Sequence, residues 1–474
     1  MPRTAAPVRK EGDALVFNSA GFLFAFLPVT WLLYRLLPGE RSRTWFLIAA
    51  SLVFYACGGL AQAPVLIGCA IWSFLFGRLL ARRDGARKLW LILAVTGDLA
   101  VLAAYKYTDF LLGAAGLAGP GWSAAAPLGI SFFTFHAVSY AVDVYREPER
   151  AADRFGPFFL YIAFFPRLLA GPILRWKDAS LTPEPPADPS PALRRFVRGL
   201  AKKLLLAESA AAAANAVFAL SPGEMGGRLA WLGAFAYCLQ IYYDFSGYSD
   251  MAIALGGLFG FRFPENFDHP YVSLTVREFW RRWHMSLNRW FTDYLYIPLG
   301  GSRRGIAVTV RNTLIVFLAT GLWHGAGWTF VLWGLWHGVL VSAERLLADP
   351  LERLGKKAPG ALRIYTLLAV MLGFVMFRAP SAAYALAMLG RMFSFAGETA
   401  AGALAFRRIL SGARAAALIA GTIFALPAGP WLRQKLSALP SGEVILDAAA
   451  LAGLALCVTA MSGGGFTPFI YQQF

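Results

Sequence analysis

His324 lies inside an apolar run at residues 313–343, TLIVFLATGLWHGAGWTFVLWGLWHGVLVSA, with Gly321, Gly325 and Gly327 around it. An ionisable ring in such surroundings is expensive and is a functional candidate by default. Its ordinary pKa near neutrality suits a general base that takes a proton from a hydroxyl. The glycines remove side-chain bulk and allow close approach of backbone or ligand. A satisfied structural histidine is the alternative, and residue chemistry alone leaves the two level. His284 lies in residues 277–296, REFWRRWHMSLNRWFTDYLY. At about 100° per residue, Phe279, Trp280, Trp283, Leu287, Trp290, Phe291 and Tyr294 share one stripe and the charged residues the other, which predicts an amphipathic helix in a membrane interface. His284 falls on the border of the two faces, either as a functional group or as a hydrogen-bonded interfacial histidine. His337 and His136 lean to packing.

Residues 240–270, QIYYDFSGYSDMAIALGGLFGFRFPENFDHP, interrupt an apolar run with Asp244, Ser246, Ser249 and Asp250. The pattern predicts a broken or re-entrant helix lining a cavity. The two aspartates either bind a cation or orient a catalytic group, or they cap helices within the bundle. Cys57, Cys69, Cys238 and Cys457 lie in apolar stretches without CxxC spacing, so they read as packing cysteines and no metal site is expected.

The elements that must position these groups follow from composition. Of 474 residues, 58% are hydrophobic and 15% charged, with a mean hydropathy of +0.54, which excludes an ordinary soluble domain. Apolar runs recur at 17–37, 45–56, 64–80, 89–104, 127–144, 229–243, 313–343, 364–377, 415–426 and 445–460, several near the roughly 20 residues a spanning helix needs. No alternating barrel pattern is visible, so the fold class is all-α: a polytopic membrane protein of about 11 transmembrane helices with re-entrant and interfacial pieces. The 313–343 run exceeds one span and predicts two helices, the first starting near Ile306, with the turn at 325–327. Arg311 would snorkel to the interface.

The net charge of +17 sits in short clusters between apolar runs. That argues for cytoplasmic loops rather than nucleic-acid binding. Residues 1–15 form a polar extension before an uncleaved first span, and residues 16–474 form a single transmembrane domain. The weakly charged stretch 106–126 suits the outer face. A Pro-rich acidic linker at 181–191 precedes the basic opening of another helix at 194–203.

With these residues in view, the chain resembles the alginate O-acetylase branch of the membrane-bound O-acyltransferase (MBOAT) family. The strings that carry the resemblance are FLFAFLP, PLGISFFTF, FFPRLLAGPI, YYDFSGYSDMAIALGGLFGFRFPENFDHPY, EFWRRWHMSLNRWFTDYLYIPLGGSRRG, RNTLIVFLATGLWHGAGWTFVLWGLWHG and PFIYQQF, in order along the chain. His136 and Gln472 depart from the family's usual glutamine and aromatic. The resemblance implies helices ringed around a thin centre, with a central tunnel bringing a cytoplasmic acyl donor to a histidine reached from outside by the acceptor. It assigns His324 as the invariant histidine and His284 as the second active-site position. It further implies acetyl-CoA as donor with no permanently bound cofactor, O-acetylation of an extracytoplasmic polysaccharide, periplasmic acetyl-transfer partners and the bacterial inner membrane. Arg281, Arg282, Arg303, Arg304 and Arg311 are expected to form a basic rim for the donor's phosphates, against simple retention of positive loops inside. Direct transfer is favoured, because neither histidine has a Ser or Cys beside it in a nucleophile motif. D-alanyl transfer to teichoic acid and a transporter or polymer-export channel are the rivals.

Overall fold

The computed structural model describes residues 15–82, 85–394, 400–462 and 469. Most of the polar extension and of the PFIYQQF tail, including Gln472, lies outside the described residues. Among the described residues there are helices and turns and no strands.

The first helices are α1 (Leu27–Leu36), α2 (Glu40–Gly59), α3 (Ala63–Ala81), α4 (Arg87–Ala114) and α5 (Ile130–Arg146). Helices α2 and α3 form an antiparallel hairpin broken at Leu60–Gln62. Trp45 near the start of α2 lies against Gly156, while Phe74 near the end of α3 meets Phe155 at 5.4 Å, so both arms return to the same side. That side collects the charges. Arg87 donates to the Tyr145 carbonyl at 2.6 Å, Arg146 to that of Asp293 at 2.8 Å, and Lys177 pairs with the Asp293 carboxylate at 2.7 Å. This is the basic end of the bundle. Helix α4 runs on to Ala114, so the first part of the expected outer loop at 106–126 is helical. The next turns are bound by Asp109, which accepts from the Gly121 and Ser123 amides at 2.9 and 2.7 Å.

The linker at 181–191 is irregular until α6 (Ser190–Ala201) opens, as its prolines require. Helix α7 (Gly227–Leu258) then corrects one expectation. It is unbroken over 32 residues, because its carboxylates find cations on the preceding helix. Asp244 pairs with Lys203 at 2.7 Å, and Asp250 takes Arg195 at 2.9 Å, Lys202 at 2.8 Å and Arg198 at 3.2 Å. Paired charges need not break a helix to reach water. The aspartates thus join α7 to the preceding helical segment through ion pairs. Among the described residues no cluster of ligating side chains has metal-site geometry.

A second correction concerns 277–296. In place of one interfacial helix there are two of seven residues, α8 (Val276–Arg282) and α9 (Met285–Phe291), broken at His284 with φ +44°. Phe279, Trp283, Leu287, Trp290 and Phe291 are buried in the protein rather than in lipid. Hydrophobicity gave the stripe correctly, but a tertiary core covers it.

The 313–343 run folds as expected into α10 (Ile306–His324) and α11 (Trp328–Leu346) around the Gly325–Gly327 turn. Helix α11 is followed at an 83° bend by Ala348–Lys357. After α12 (Pro359–Arg378) come four shorter helices within 382–437 and then α13 (Gly442–Ser462), an apolar helix. Among the described residues, five continuous helical segments are long and apolar enough to cross a membrane, and up to seven if each bent pair is one span, the α2–α3 hairpin being one of the five segments. Helix α7 is long enough as well, at 32 residues, but its tyrosines and aspartates lower its apolarity.

Candidate active site

His324 is the last residue of α10 and is buried. Three aromatic rings enclose its imidazole: Trp323 at 4.8 Å, Trp333 at 5.2 Å and Phe377 at 5.0 Å between centroids. Gly321 and Gly325 do not open space for a ligand. A Cβ on Gly321 would lie 2.4 Å from the Phe330 carbonyl oxygen, and one on Gly325 would lie 2.0 Å from the Phe330 ring. They let α10 and α11 close on each other and fix the turn that presents the imidazole.

His284 is also buried, and its ring stands edge-on to Phe245 at 4.6 Å. Its Nδ1 lies 3.0 Å from Oδ1 of Asn266. A carbonyl oxygen only accepts, so Nδ1 carries the proton and Nε2 is the basic nitrogen. Asn266 is itself locked: Oδ1 accepts from Ser286 Oγ at 2.9 Å, Nδ2 donates to Ser249 Oγ at 3.0 Å, and its backbone carbonyl accepts from the Met285 amide at 2.9 Å. Ser286 Oγ in turn accepts from the Ile173 amide at 3.0 Å. Burial disfavours the charged form of His284 and holds its pKa well below the ordinary histidine value, so the ring is neutral.

Trp323 links the two histidines, its indole centroid 6.2 Å from His284 and 4.8 Å from His324. Its ring is held by Phe135 at 5.1 Å and Phe132 at 5.8 Å. His284 lies two residues from Arg282, whose side chain is 31% exposed and pairs with Asp268 near the basic end. His324 lies at the far end of α10 from Arg311. The broken helix α8–α9 therefore brings a residue approached from the basic end within one indole of a residue at the opposite end of α10.

A cavity of about 1130 Å³ opens between α6, α7, the segment 424–437 and α13. Arg194, Arg195, Arg198, Lys202 and Arg433 line it, as do Ser249 and Asn266, the residues that hold His284. The cavity lies at the basic end, because Tyr34 and Arg35 in the last turn of α1 bind the Phe259 and Pro186 carbonyls beside it at 2.8 and 2.9 Å.

The five arginines of the expected rim do not line this cavity. Arg282 pairs with Glu278 and Asp268, each at 3.0 Å, and Arg281 is exposed beside it. Arg303 and Arg304 are exposed in the turn before α10, and Arg311 donates to the Leu299 carbonyl at 3.1 Å. His337 accepts from Trp280 Nε1 at 3.3 Å, and His136 Nε2 lies 3.3 Å from Arg167 Nη1. Both are packed within the bundle. Sequence reasoning picked out Ser249 only as part of a polar interruption, and it missed Asn266, Trp323 and the α6 cations that line the cavity. Asn266 and Ser249 are ordinary polar residues 18 or more positions from His284, and only the folding of the loop after α7 between Ser249 and α9 reveals them.

Residues 129–384 match the family profile of MBOAT, the membrane-bound O-acyltransferase family. The chain is 42% identical over 403 residues to the probable alginate O-acetylase of Pseudomonas aeruginosa, covering 80% of this chain and 75% of that protein. It is 34% identical over 428 residues to the peptidoglycan O-acetyltransferase of Helicobacter pylori, covering 81% and 80%. To the teichoic acid D-alanyltransferase of Streptococcus thermophilus it is 31% identical over 229 residues, covering 45% of this chain and 55% of that protein.

Proposed function

Since the chain belongs to the membrane-bound O-acyltransferase family and is a multi-pass membrane O-acyltransferase, we propose that it carries acetyl groups across the bacterial inner membrane for O-acetylation of a polysaccharide outside. Its relatives over some four fifths of its length include an alginate and a peptidoglycan O-acetylating protein, whereas the D-alanyltransferase matches under half of it, which favours acetyl over D-alanyl transfer. The donor is acetyl-CoA, entering from the cytoplasmic, basic end. The acceptor is a hydroxyl on the polymer, or on a periplasmic protein that passes the acetyl on to it.

One observation carries this reading. The large basic cavity is walled by Asn266, which fixes the neutral tautomer of His284, and one indole separates His284 from His324. A thioester reaching inward from the cavity and a hydroxyl reaching inward from the far end of α10 meet at this pair. His324 takes the hydroxyl proton as the oxygen attacks the acetyl carbonyl. The C–S bond then breaks, an ester forms, and the thiolate takes up the proton, so that acetyl-CoA and a hydroxyl become CoA and an acetyl ester. His284, oriented by Asn266, is the polar partner of that base. The cavity's Arg194, Arg198, Lys202 and Arg433 supply positive charge for the donor's phosphates, in competition with the rim of Arg281, Arg282, Arg303, Arg304 and Arg311.

The test uses the purified protein in lipid vesicles, with acetyl-CoA and an oligosaccharide acceptor. His324→Ala should lose about 10²- to 10⁴-fold in turnover, the usual share of a general base, while keeping its thermal melt. Wild-type turnover in a folded His324→Ala protein would remove His324 from the mechanism. Charge reversal of Arg198 with Arg433 should raise the donor KM more than reversal of Arg303 with Arg304. The opposite order would move the phosphate site to the rim.

A further inference from the structure

Helix α10 ends at His324 without a left-handed cap, since Gly325 is extended at φ −174° and ψ 152°. The last carbonyls of any helix lack partners within it, and in an apolar environment each carbonyl left unbonded is costly. The two just before His324 are satisfied by consecutive residues of another helix. Lys106 Nζ donates to the Trp323 carbonyl, and Tyr107 OH donates to the Leu322 carbonyl at 2.8 Å. Lys106 also lies 3.5 Å from Ser131 Oγ on α5, with its ammonium 5.7 Å from the Trp323 ring centroid.

The host helix makes this arrangement informative. Helix α4 is apolar and little buried, with 17% of its spanning window inside the protein. A lysine about 28 Å along it from Arg87, at 1.5 Å per residue, is far from the basic end. A cation in such a place is expensive and marks function by default. Its contacts are a helix C-terminal carbonyl, a hydroxyl and an indole face rather than a carboxylate. A positive charge is favourable at a helix C-terminus.

We propose that Lys106 and Tyr107 form a two-point clamp that sets the position of His324, making Lys106 a positioning residue for acetyl transfer. The clamp joins α4, α5 and the end of α10 within one residue of the imidazole. It also fixes Trp323, the ring between the two histidines. Its catalytic consequence rests on the assignment of His324 as the base, but its structural consequence does not.

Two measurements on the full-length protein in lipid keep these apart. In the first, donor-saturated turnover is measured for Lys106→Met, Lys106→Arg and Tyr107→Phe beside His324→Ala. Loosening a catalytic group by about 1 Å can cost about 100-fold, so Lys106→Met should lose roughly 10- to 100-fold in kcat with the acetyl-CoA KM within about twofold. Lys106→Arg keeps the cation and the donors and should recover most of the loss. Tyr107→Phe should lose less than Lys106→Met. In the second, hydrogen exchange is followed in the peptide covering 319–327, which should exchange faster in Lys106→Met and Tyr107→Phe than in wild type. Unchanged protection in both variants overturns the clamp, whatever the activities. Should Lys106→Met not accumulate, Tyr107→Phe carries both readouts. Faster exchange with wild-type turnover leaves the clamp without a positioning role and overturns the proposal. If His324→Ala itself remains active, the assignment of His324 fails, and exchange alone decides the clamp.

Discussion

Replacing Asn266 with alanine should disable His284 without touching it. The amide makes three close hydrogen bonds to other side chains, from His284 Nδ1 at 3.0 Å, from Ser286 Oγ at 2.9 Å and to Ser249 Oγ at 3.0 Å, beside a longer one from the Ser286 amide at 3.4 Å. At about 1 kcal/mol net for each, the variant loses on the order of 3 kcal/mol of folding stability, less whatever water entering from the adjoining cavity restores. The effect on rate has a separate origin. Without an acceptor at Nδ1, neutral His284 can place its proton on either nitrogen and its ring can rotate. If the oriented tautomer is stabilised by one hydrogen bond of about 1.4 kcal/mol, losing it costs about tenfold in kcat. Ser249→Ala removes only the anchor of the amide and should cost less, about twofold to threefold by the same scale. The assay is acetyl release from acetyl-CoA to an oligosaccharide at saturating donor, with a thermal melt to normalise for folded protein. A folded Asn266→Ala protein with wild-type kcat would refute the claim that Asn266 sets the basic nitrogen of His284. An equal loss in Ser249→Ala would show that general loosening of α9, and not the tautomer, is responsible.

Two other expectations follow from the packing. Asp244→Ala should lower the melting temperature, because it takes one carboxylate from buried Lys203. Glu208, 2.9 Å from the same ammonium, keeps the loss below the roughly 3–5 kcal/mol of a fully broken buried pair, and an unchanged melt would deny the pair any stabilising part. Gly325→Ala needs no unusual backbone angle, so its cost is purely steric, about 1–3 kcal/mol as an overpacked core. Phe330 must move off Phe377, which it meets at 5.1 Å and which itself borders His324, so turnover should fall although the imidazole is intact. Full activity in the alanine variant would mean that Phe330 yields without disturbing the site.

What the sequence by itself determined was whatever depends on local hydrophobicity and backbone chemistry. Apolar runs marked the membrane helices, prolines broke the chain at 181–191, and the over-long 313–343 run with its glycines located the turn that carries His324. Family resemblance then singled out His284 and His324. What only the tertiary structure decided depends on residues far apart in sequence. The charges of α7 looked like a break because their partners, Lys203 and the cations of α6, lie more than 40 positions away. The stripe of 277–296 looked interfacial because hydrophobic periodicity cannot tell lipid from protein core. The kink at His284 rests on a left-handed residue and on Asn266, neither of which hydropathy registers. The cavity is assembled from segments more than 200 residues apart, between Pro191 and Gly453. The basic residues that line it were indistinguishable in sequence from those that merely keep a loop on one side of the membrane, because a charge in a short polar segment has the same composition whether it faces water, lipid headgroups or a cavity.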